Sequence, residues 1–131
     1  MENGYLHVYV GENWGEAPSF LGMAVRACGA GFKVACYCFE DEDFGAADVI
    51  KRLPEAHFER VASNNSLEGV KNILENFKRF DMIILAGCCL LDVKTMTNII
   101  ASKPQNCELV FCGKAFAQEI FDKADLVSEI S

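Results

Sequence analysis

The chain has few basic residues for its size. Lys and Arg number 12 against 19 Asp and Glu, which gives a formal net charge of −7 over 131 residues. Nucleic acids and anionic membranes attract proteins that cluster positive charge. We therefore expect neither nucleic acid nor a membrane surface as a partner.

Long apolar runs are also missing. No segment approaches the roughly 20 residues that a membrane-spanning helix needs, and the first residues, Met1–Gly4, lack the basic start and apolar core of a secretory leader. With 51% hydrophobic and 24% charged residues, the composition favours a soluble globular protein, which we expect in the cytoplasm. A length of 131 residues fits a single domain over residues 1–131.

The CxxC pairs that often mark metal or redox sites are absent, although the chain has 7 cysteines. An odd count without such pairs argues against a secreted disulfide framework and against a zinc knuckle. Buried, reduced thiols that act as small hydrophobic groups are the first interpretation. An alternative stays open, because four of these thiols lie at or just past the carboxyl ends of predicted strands. If those strands are close neighbours, the thiols would meet in one cleft, where they could hold a soft metal, a cluster or cobalt: Cys38, Cys88, Cys89 and Cys112.

Strand-like and helix-like segments alternate along the chain. The run 33–39 is apolar throughout, as in a central parallel strand that is covered on both faces. Such alternation predicts an α/β fold with a mainly parallel sheet, which binds ligands at the carboxyl ends of its strands. The predicted strands are 5–10, 33–39, 58–62, 81–86, 108–112 and, as a strand or extended tail, 126–130; the predicted helices are 18–30, 46–53, about 67–77, Asp92 to Pro104, and 115–124.

The segment from Tyr5 to Leu21 has the strand, glycine loop and helix arrangement that binds phosphate in many nucleotide-binding proteins. A working phosphate loop has a Lys for the β and γ oxygens and a Ser or Thr for Mg²⁺ directly after its last glycine. Here Glu16 and Ala17 occupy those two places. The loop is therefore a degenerate Walker motif, and it reads Gly11, Glu12, Asn13, Trp14, Gly15, Glu16, Ala17.

Replacing Lys by Glu changes the electrostatic free energy of phosphate binding by an amount comparable to the whole binding free energy of a ligand. A unit charge in contact with phosphate near a protein surface is worth about 4 kcal/mol at an effective dielectric constant of 20, and reversing its sign changes the interaction by up to roughly twice that. Micromolar binding corresponds to about 8 kcal/mol. We therefore expect this loop not to bind Mg-ATP in the usual way.

Several segments together carry a resemblance to a known family: Gly4–Tyr9, Gly11, Gly15, Leu21–Ala27, Gly29–Gly31, Phe80–Leu85, Leu91–Val93, Glu108–Val110, Gly113 and Ala124–Val127. On these segments the chain resembles the ATP:corrinoid (cob(I)alamin) adenosyltransferases of the P-loop type. The resemblance covers nearly the whole chain and implies a three-layer domain like that of P-loop NTPases. It also implies a reaction in which ATP, with Mg²⁺, transfers its 5′-deoxyadenosyl group to a reduced corrinoid, and a protein that forms homodimers.

Position by position, the residues that the resemblance assigns to this reaction are replaced. The family's loop Lys and Thr fall on Glu16 and Ala17, and a further loop Lys falls on Trp14. The acidic pair that organises Mg²⁺ falls on Ala86 and Gly87. Of the assigned positions only Lys114 keeps its charge type; the remaining replacements are Cys38 for a Gln, Asp41 for a basic residue, and Cys112-Gly113-Lys114 for a Thr-Gly-Arg turn.

These replacements predict a pseudoenzyme, a non-catalytic homologue with a binding or regulatory role linked to corrinoids. We expect no catalytic residue, metal ligand or bound cofactor of its own, and a corrinoid, a corrinoid enzyme or a second copy of the chain as partner. Two alternatives remain: an active adenosyltransferase with a rebuilt site, and a thiol or metal protein that uses the cysteines at the strand ends. The loop amides could also accept a small anion, although Trp14 and Glu16 are the residues that would fill that space.

Overall fold

The computed structural model describes residues 4–11, 19–39, 46–61, 66–88 and 91–129. Strands and helices alternate through these ranges, as the sequence predicts. The strands are β1 Leu6–Val10, β2 Val34–Cys38, β3 Ala56–Arg60, β4 Met82–Ala86, β5 Glu108–Gly113 and β6 Leu126–Glu129, and the helices are α1 Ser19–Gly29, α2 Ala46–Ile50, α3 Ser66–Asn76, α4 Val93–Ser102 and α5 Gln118–Lys123.

The six strands form one sheet in the order β3-β2-β4-β5-β1-β6, and every neighbouring pair is parallel. Parallel strands are buried on both faces, and the central strands β2 and β4 are buried at all five of their positions. All carboxyl ends therefore lie along one edge of the sheet, called here the carboxyl edge, and all amino ends along the opposite amino edge.

The helices cover the two faces of the sheet in separate layers. On one face, Ala24 and Cys28 of α1 and Ile50 of α2 pack with side chains such as Cys36 and Ile84. On the other face, helices α3, α4 and α5 pack against the sheet through a group that includes Ile73, Phe77, Met96, Ile99 and Ile120. The α/β fold with three layers and a mainly parallel sheet is therefore confirmed.

Some helix faces differ from the pattern expected from spacing alone. The apolar stripe Leu67, Val70, Leu74 and Phe77 suggests an inward face for α3, but Leu67 is 85% exposed and Leu74 is 38% exposed. The helix instead turns Gly69, Ile73 and Phe77 inward. A Cβ on Gly69 would lie 2.5 Å from Cγ1 of Val61, so this glycine lets α3 approach the end of β3 closely.

Several element bounds also differ from the prediction; α2, for example, ends at Ile50 rather than at 53. Strand β3 begins at Ala56, two residues before the predicted 58, and α5 begins at Gln118 rather than at 115. Residues 115–117 are extended because Phe116 of this segment stacks on Phe111 and meets the edge of Phe121, both at 6.2 Å between ring centroids. Within the described ranges, no helix has the length and apolar character that crossing a membrane requires.

Candidate functional site

The fold creates a crevice at the carboxyl edge between β1 and β5. These strands are neighbours, but α1 after β1 lies on one face of the sheet and α5 after β5 lies on the other. Connections that leave in opposite directions open a crevice beyond the carboxyl ends of the two strands, which is where open α/β sheets bind ligands. The sequence prediction of a site at this edge therefore falls on β1, β5 and the next strand, β4.

Backbone hydrogen bonds link the segments that end these strands. The amide of Gly11 donates to the carbonyl of Gly113 at 3.1 Å, and the amide of Gly87 donates to the carbonyl of Cys112 at 2.7 Å, so pairing continues to the ends of the strands. Gly11 has a φ of 155° and Gly87 a φ of 74°. The left-handed conformation of Gly87 would cost any residue with a Cβ about 1–2 kcal/mol of conformational free energy. An acidic residue at this position would therefore strain the turn.

The end of β4, where the resemblance places the magnesium carboxylates, is apolar and closed. Ala86 is 2% exposed and stands in register between Cys38 of β2 and Cys112 of β5. Gly87 follows it, and then Cys88, which is fully buried. None of these three residues has a side-chain oxygen that could bind Mg²⁺.

The next carboxylate along the chain after β4, Asp92, has a structural role. Its Oδ1 accepts a hydrogen bond from the amide of Thr95 at 2.7 Å, which caps the N-terminus of α4 as predicted. Hydrogen bonds from Thr95 lower the pKa of the Asp92 carboxyl, so the group is ionised and serves the cap at neutral pH. The cap of α4 therefore explains why a carboxylate stands at Asp92, and no ligand is needed to explain it.

Lys114 is exposed and follows Gly113 directly at the end of β5. Among the predicted site residues that the structure describes, Lys114 is the one with a charged side chain. An exposed ammonium group at this edge suits an anionic group. Lys114 therefore stays a predicted site residue at the carboxyl edge.

The described thiols do not gather into one metal site. Cys38 and Cys112 lie on the same face of the sheet with Ala86 between them, whereas Cys88 packs in the cluster on the opposite face. Among the described residues, no three His, Cys, Asp or Glu side chains come together in a way that could hold a metal ion. Cys89, the fourth member of the hypothetical cluster, lies outside the described residues.

Burial also makes Cys107 and Cys112 poor ligands and nucleophiles. It raises the pKa of Cys112 well above its ordinary value, with the neighbouring Cys88 and Cys36 acting in the same direction. Burial raises the pKa of Cys107 to about 11. The thiolate is the form that attacks and binds metal, and these two thiols hold their protons at neutral pH.

The phosphate loop itself falls mostly outside the described residues. Gly11 is described at the end of β1, but Glu12, Asn13, Trp14, Gly15, Glu16 and Ala17 are not. The prediction for these positions rests on the residue types alone. The described residues bring together Gly11, Ala86, Gly87 and Lys114 around the ends of three adjacent strands.

Comparison with known proteins identifies the family. A model of the family described as ATP:corrinoid adenosyltransferase BtuR/CobO/CobP matches residues 2–131. The chain belongs to this adenosyltransferase family. Membership supports a function related to corrinoids for this member, and it confirms the resemblance found in the sequence.

Solved structures confirm the fold of this family member. The X-ray structure of the Legionella pneumophila ATPase DotB matches with a TM-score of 0.58 and 13% sequence identity. The match covers 94% of this chain but only 35% of the DotB chain. At this identity the likeness shows a P-loop NTPase-like fold alone. No curated protein matches the adenosyltransferase-family chain.

A second group of polar side chains, at the amino edge, carries no motif in the sequence. Lys33 precedes β2, and the run Lys78-Arg79-Phe80 follows α3, so more than 40 residues separate the two along the chain. The fold brings them to one groove. The only signal in the sequence is a pair of cations and an aromatic residue after a predicted helix. Cations are common at the C-terminal ends of helices, so this pattern does not indicate a site.

Proposed function

We propose that the protein is a non-catalytic member of the corrinoid adenosyltransferase family, with a binding or regulatory role toward a corrinoid or a corrinoid enzyme. The observation that carries the proposal is the end of β4, where buried Ala86, Gly87 and Cys88 replace any carboxylate. Mg²⁺ in nucleotide sites is held by carboxylate or hydroxyl oxygens together with the phosphates. Without those oxygens the triphosphate has no shielding ion.

The charge pattern of the chain supports the same proposal. Glu16 stands where a phosphate loop has its Lys, and Glu40-Asp41-Glu42-Asp43 follows β2 along the chain. Lys114 alone cannot balance a triphosphate that carries several negative charges. The residue types at this edge therefore disfavour free ATP as well as Mg-ATP.

A corrinoid differs from ATP in the contacts that it needs. It is a large ring with apolar faces, and binding it does not depend on a metal ion held by carboxylates. At this edge the described chain has Gly11, Gly87 and the exposed Lys114. We propose that this crevice, in a homodimer, contributes to binding a corrinoid or a corrinoid enzyme.

Two assays on the purified chain test the proposal. Equilibrium dialysis with hydroxocobalamin measures corrinoid binding, and formation of adenosylcobalamin from ATP and chemically reduced cobalamin measures transfer. We expect saturable corrinoid binding and no adenosylcobalamin above the rate without protein. A catalytically competent adenosyltransferase in the same buffer is the positive control for the second assay.

Each other outcome contradicts part of the proposal. Adenosylcobalamin formed in proportion to the protein concentration would show that a rebuilt site is active. Absence of corrinoid binding, together with absence of binding to a corrinoid enzyme, would remove the proposed role. The variant Lys114→Gln, compared with Lys123→Gln on α5, tests whether the crevice contributes to any binding observed.

A further inference from the structure

The amino edge of the sheet carries a groove, on the side of the molecule opposite the carboxyl crevice. Two adjoining hollows form it, with volumes of about 360 Å³ and 480 Å³. Both are lined by Lys33, Lys78, Arg79 and Phe80. Volumes of this size fall in the range of small-molecule sites, which is about 300–1,000 Å³.

Arg79 is an exposed residue that lines both hollows of the groove. Its guanidinium carbon lies 5.9 Å from the centroid of the Phe80 ring, within the range of a cation–π contact. One guanidinium nitrogen donates to Oδ1 of Asn76 at a long 3.4 Å. A guanidinium has five N–H donors, so most of them are available to take two oxygens of a carboxylate or phosphate.

Two lysines from different parts of the chain line the same hollows as Arg79. Lys78 follows α3, and Lys33 precedes β2. Cations after a helix C-terminus are favoured by the helix dipole, which accounts for Lys78 and Arg79 but not for Lys33. Within the described residues, neither lysine forms an ion pair with a carboxylate.

The acidic groups of the groove are fewer than its cations. Asp81 lines one hollow, and its Oδ2 accepts the backbone amide of Lys33 at 2.8 Å. Glu55 lines the other hollow and is exposed. In a chain of net charge −7, a groove lined by three exposed cations and two carboxylates is a place where an anion meets attraction rather than repulsion.

Aromatic and apolar surface completes the walls. The ring of His57 lies 6.1 Å from that of Phe80, at the rim of the hollow that Glu55 also lines. The buried Nε2 of His57 makes no hydrogen bond, and its contact with Oε1 of Glu59 is a long 3.5 Å. The groove thus combines charged groups that can fix an oxyanion with flat surface for the body of an organic molecule.

We propose that this groove binds a metabolite-sized organic anion, whose phosphate or carboxylate oxygens are taken by Arg79 and by the ammonium groups of Lys33 and Lys78. The ligand lies at the amino edge and does not compete with one at the carboxyl crevice. The site is therefore independent of the corrinoid role proposed above.

Titration calorimetry at a constant ionic strength of about 0.15 M tests the site, with inorganic phosphate, glucose 6-phosphate and citrate as probes. We expect saturable binding of at least one probe. Tighter binding of phosphate or glucose 6-phosphate indicates a phosphate ligand, and tighter binding of citrate indicates a carboxylate ligand. Arg79→Gln should raise the dissociation constant about tenfold or more, because it removes charge-assisted hydrogen bonds. Glu55→Gln should lower the dissociation constant, because it removes a repelling carboxylate, and the control Lys71→Gln on α3 should leave it unchanged.

Amide chemical shifts in a ¹H–¹⁵N spectrum locate the bound probe. Shifts that saturate at Lys33, Arg79 and Phe80 support the proposal. Shifts at Gly11 and Lys114 instead would place the anion at the carboxyl crevice and overturn it. Absence of saturable binding of all three probes at millimolar concentrations, or equal weakening by Arg79→Gln and Lys71→Gln, would also overturn it.

Discussion

The variant Ala86→Asp is expected to lose about 3–5 kcal/mol of unfolding free energy at neutral pH. The reason is that Ala86 is 2% exposed and packs between Cys38 and Cys112, so the new carboxylate would be buried without a partner. Urea denaturation followed by circular dichroism measures the loss. The result is informative because the family resemblance places a magnesium-binding carboxylate at this position.

The pH dependence of this variant has a defined sign. Burial raises the folded-state pKa of the introduced carboxyl above its unfolded value of about 3.9, so the folded state binds more protons. The stability of the variant relative to the parent chain therefore falls as the pH rises from the unfolded pKa to the folded one. The loss should be smaller at pH 5 than at pH 7.5.

A matched control separates burial from charge. Ala115→Asp introduces the same side chain at an exposed position one residue after Lys114, and it should cost less than about 1 kcal/mol. Addition of Mg²⁺ should not stabilise Ala86→Asp. If Ala86→Asp were as stable as the parent chain and its melting temperature rose with Mg²⁺, a metal site would survive at the end of β4.

The variant Lys103→Met is expected to lose about 3 kcal/mol of stability, measured in the same denaturation experiment. The ammonium group of Lys103 donates to the carbonyls of Gly4, Pro104 and Cys107 at 3.0, 2.9 and 2.9 Å. It thereby ties the start of β1 to the chain between α4 and β5. Hydrogen bonds from a charged donor contribute about 1.5–3 kcal/mol each, and ordering of the long side chain offsets part of their sum.

Lys71→Met on the exposed surface of α3 is the control for Lys103→Met. It removes the same charge and introduces the same side chain, but it should change stability by less than about 0.5 kcal/mol. A loss for Lys103→Met no larger than that of the control would show that water replaces the ammonium group at the three carbonyls.

The fold was predictable because its signals are local and strong. The uninterrupted apolar run 33–39 identified β2 as a central strand, and Asp92 identified the start of α4 through its side-chain cap. The order of the strands was not predictable from such signals. It depends on which faces of the sheet the five helices cover, and this is decided by packing between segments that are distant in the chain.

The inward face of α3 shows how close packing can override spacing. Leu67, Val70, Leu74 and Phe77 recur at helical intervals, yet Leu67 and Leu74 are exposed. Gly69 lies where α3 meets Val61, and a glycine contributes nothing to an apolar stripe in the sequence. The helix therefore faces the core at Gly69, a position that the hydrophobic pattern of the sequence does not identify.

The candidate site was predictable only in part. Its location at the carboxyl edge follows from the parallel sheet, and the residue types at Ala86 and Gly87 already indicated the loss of metal ligands. The conformation of Gly87 and the separation of the described thiols between two faces required the structure. The groove at the amino edge was not predictable, since Lys33 and Arg79 lie far apart in the sequence.

The central claim is that this member of the adenosyltransferase family has no Mg-ATP site. Trp14 is the only tryptophan of the chain and stands in the altered loop, so its fluorescence reports on that loop directly. The decisive measurement is a titration of Trp14 emission with Mg-ATP, with equilibrium dialysis of labelled ATP as a second readout. The account predicts no saturable change and no retained nucleotide up to millimolar ATP, whereas saturable binding at micromolar concentrations would contradict it.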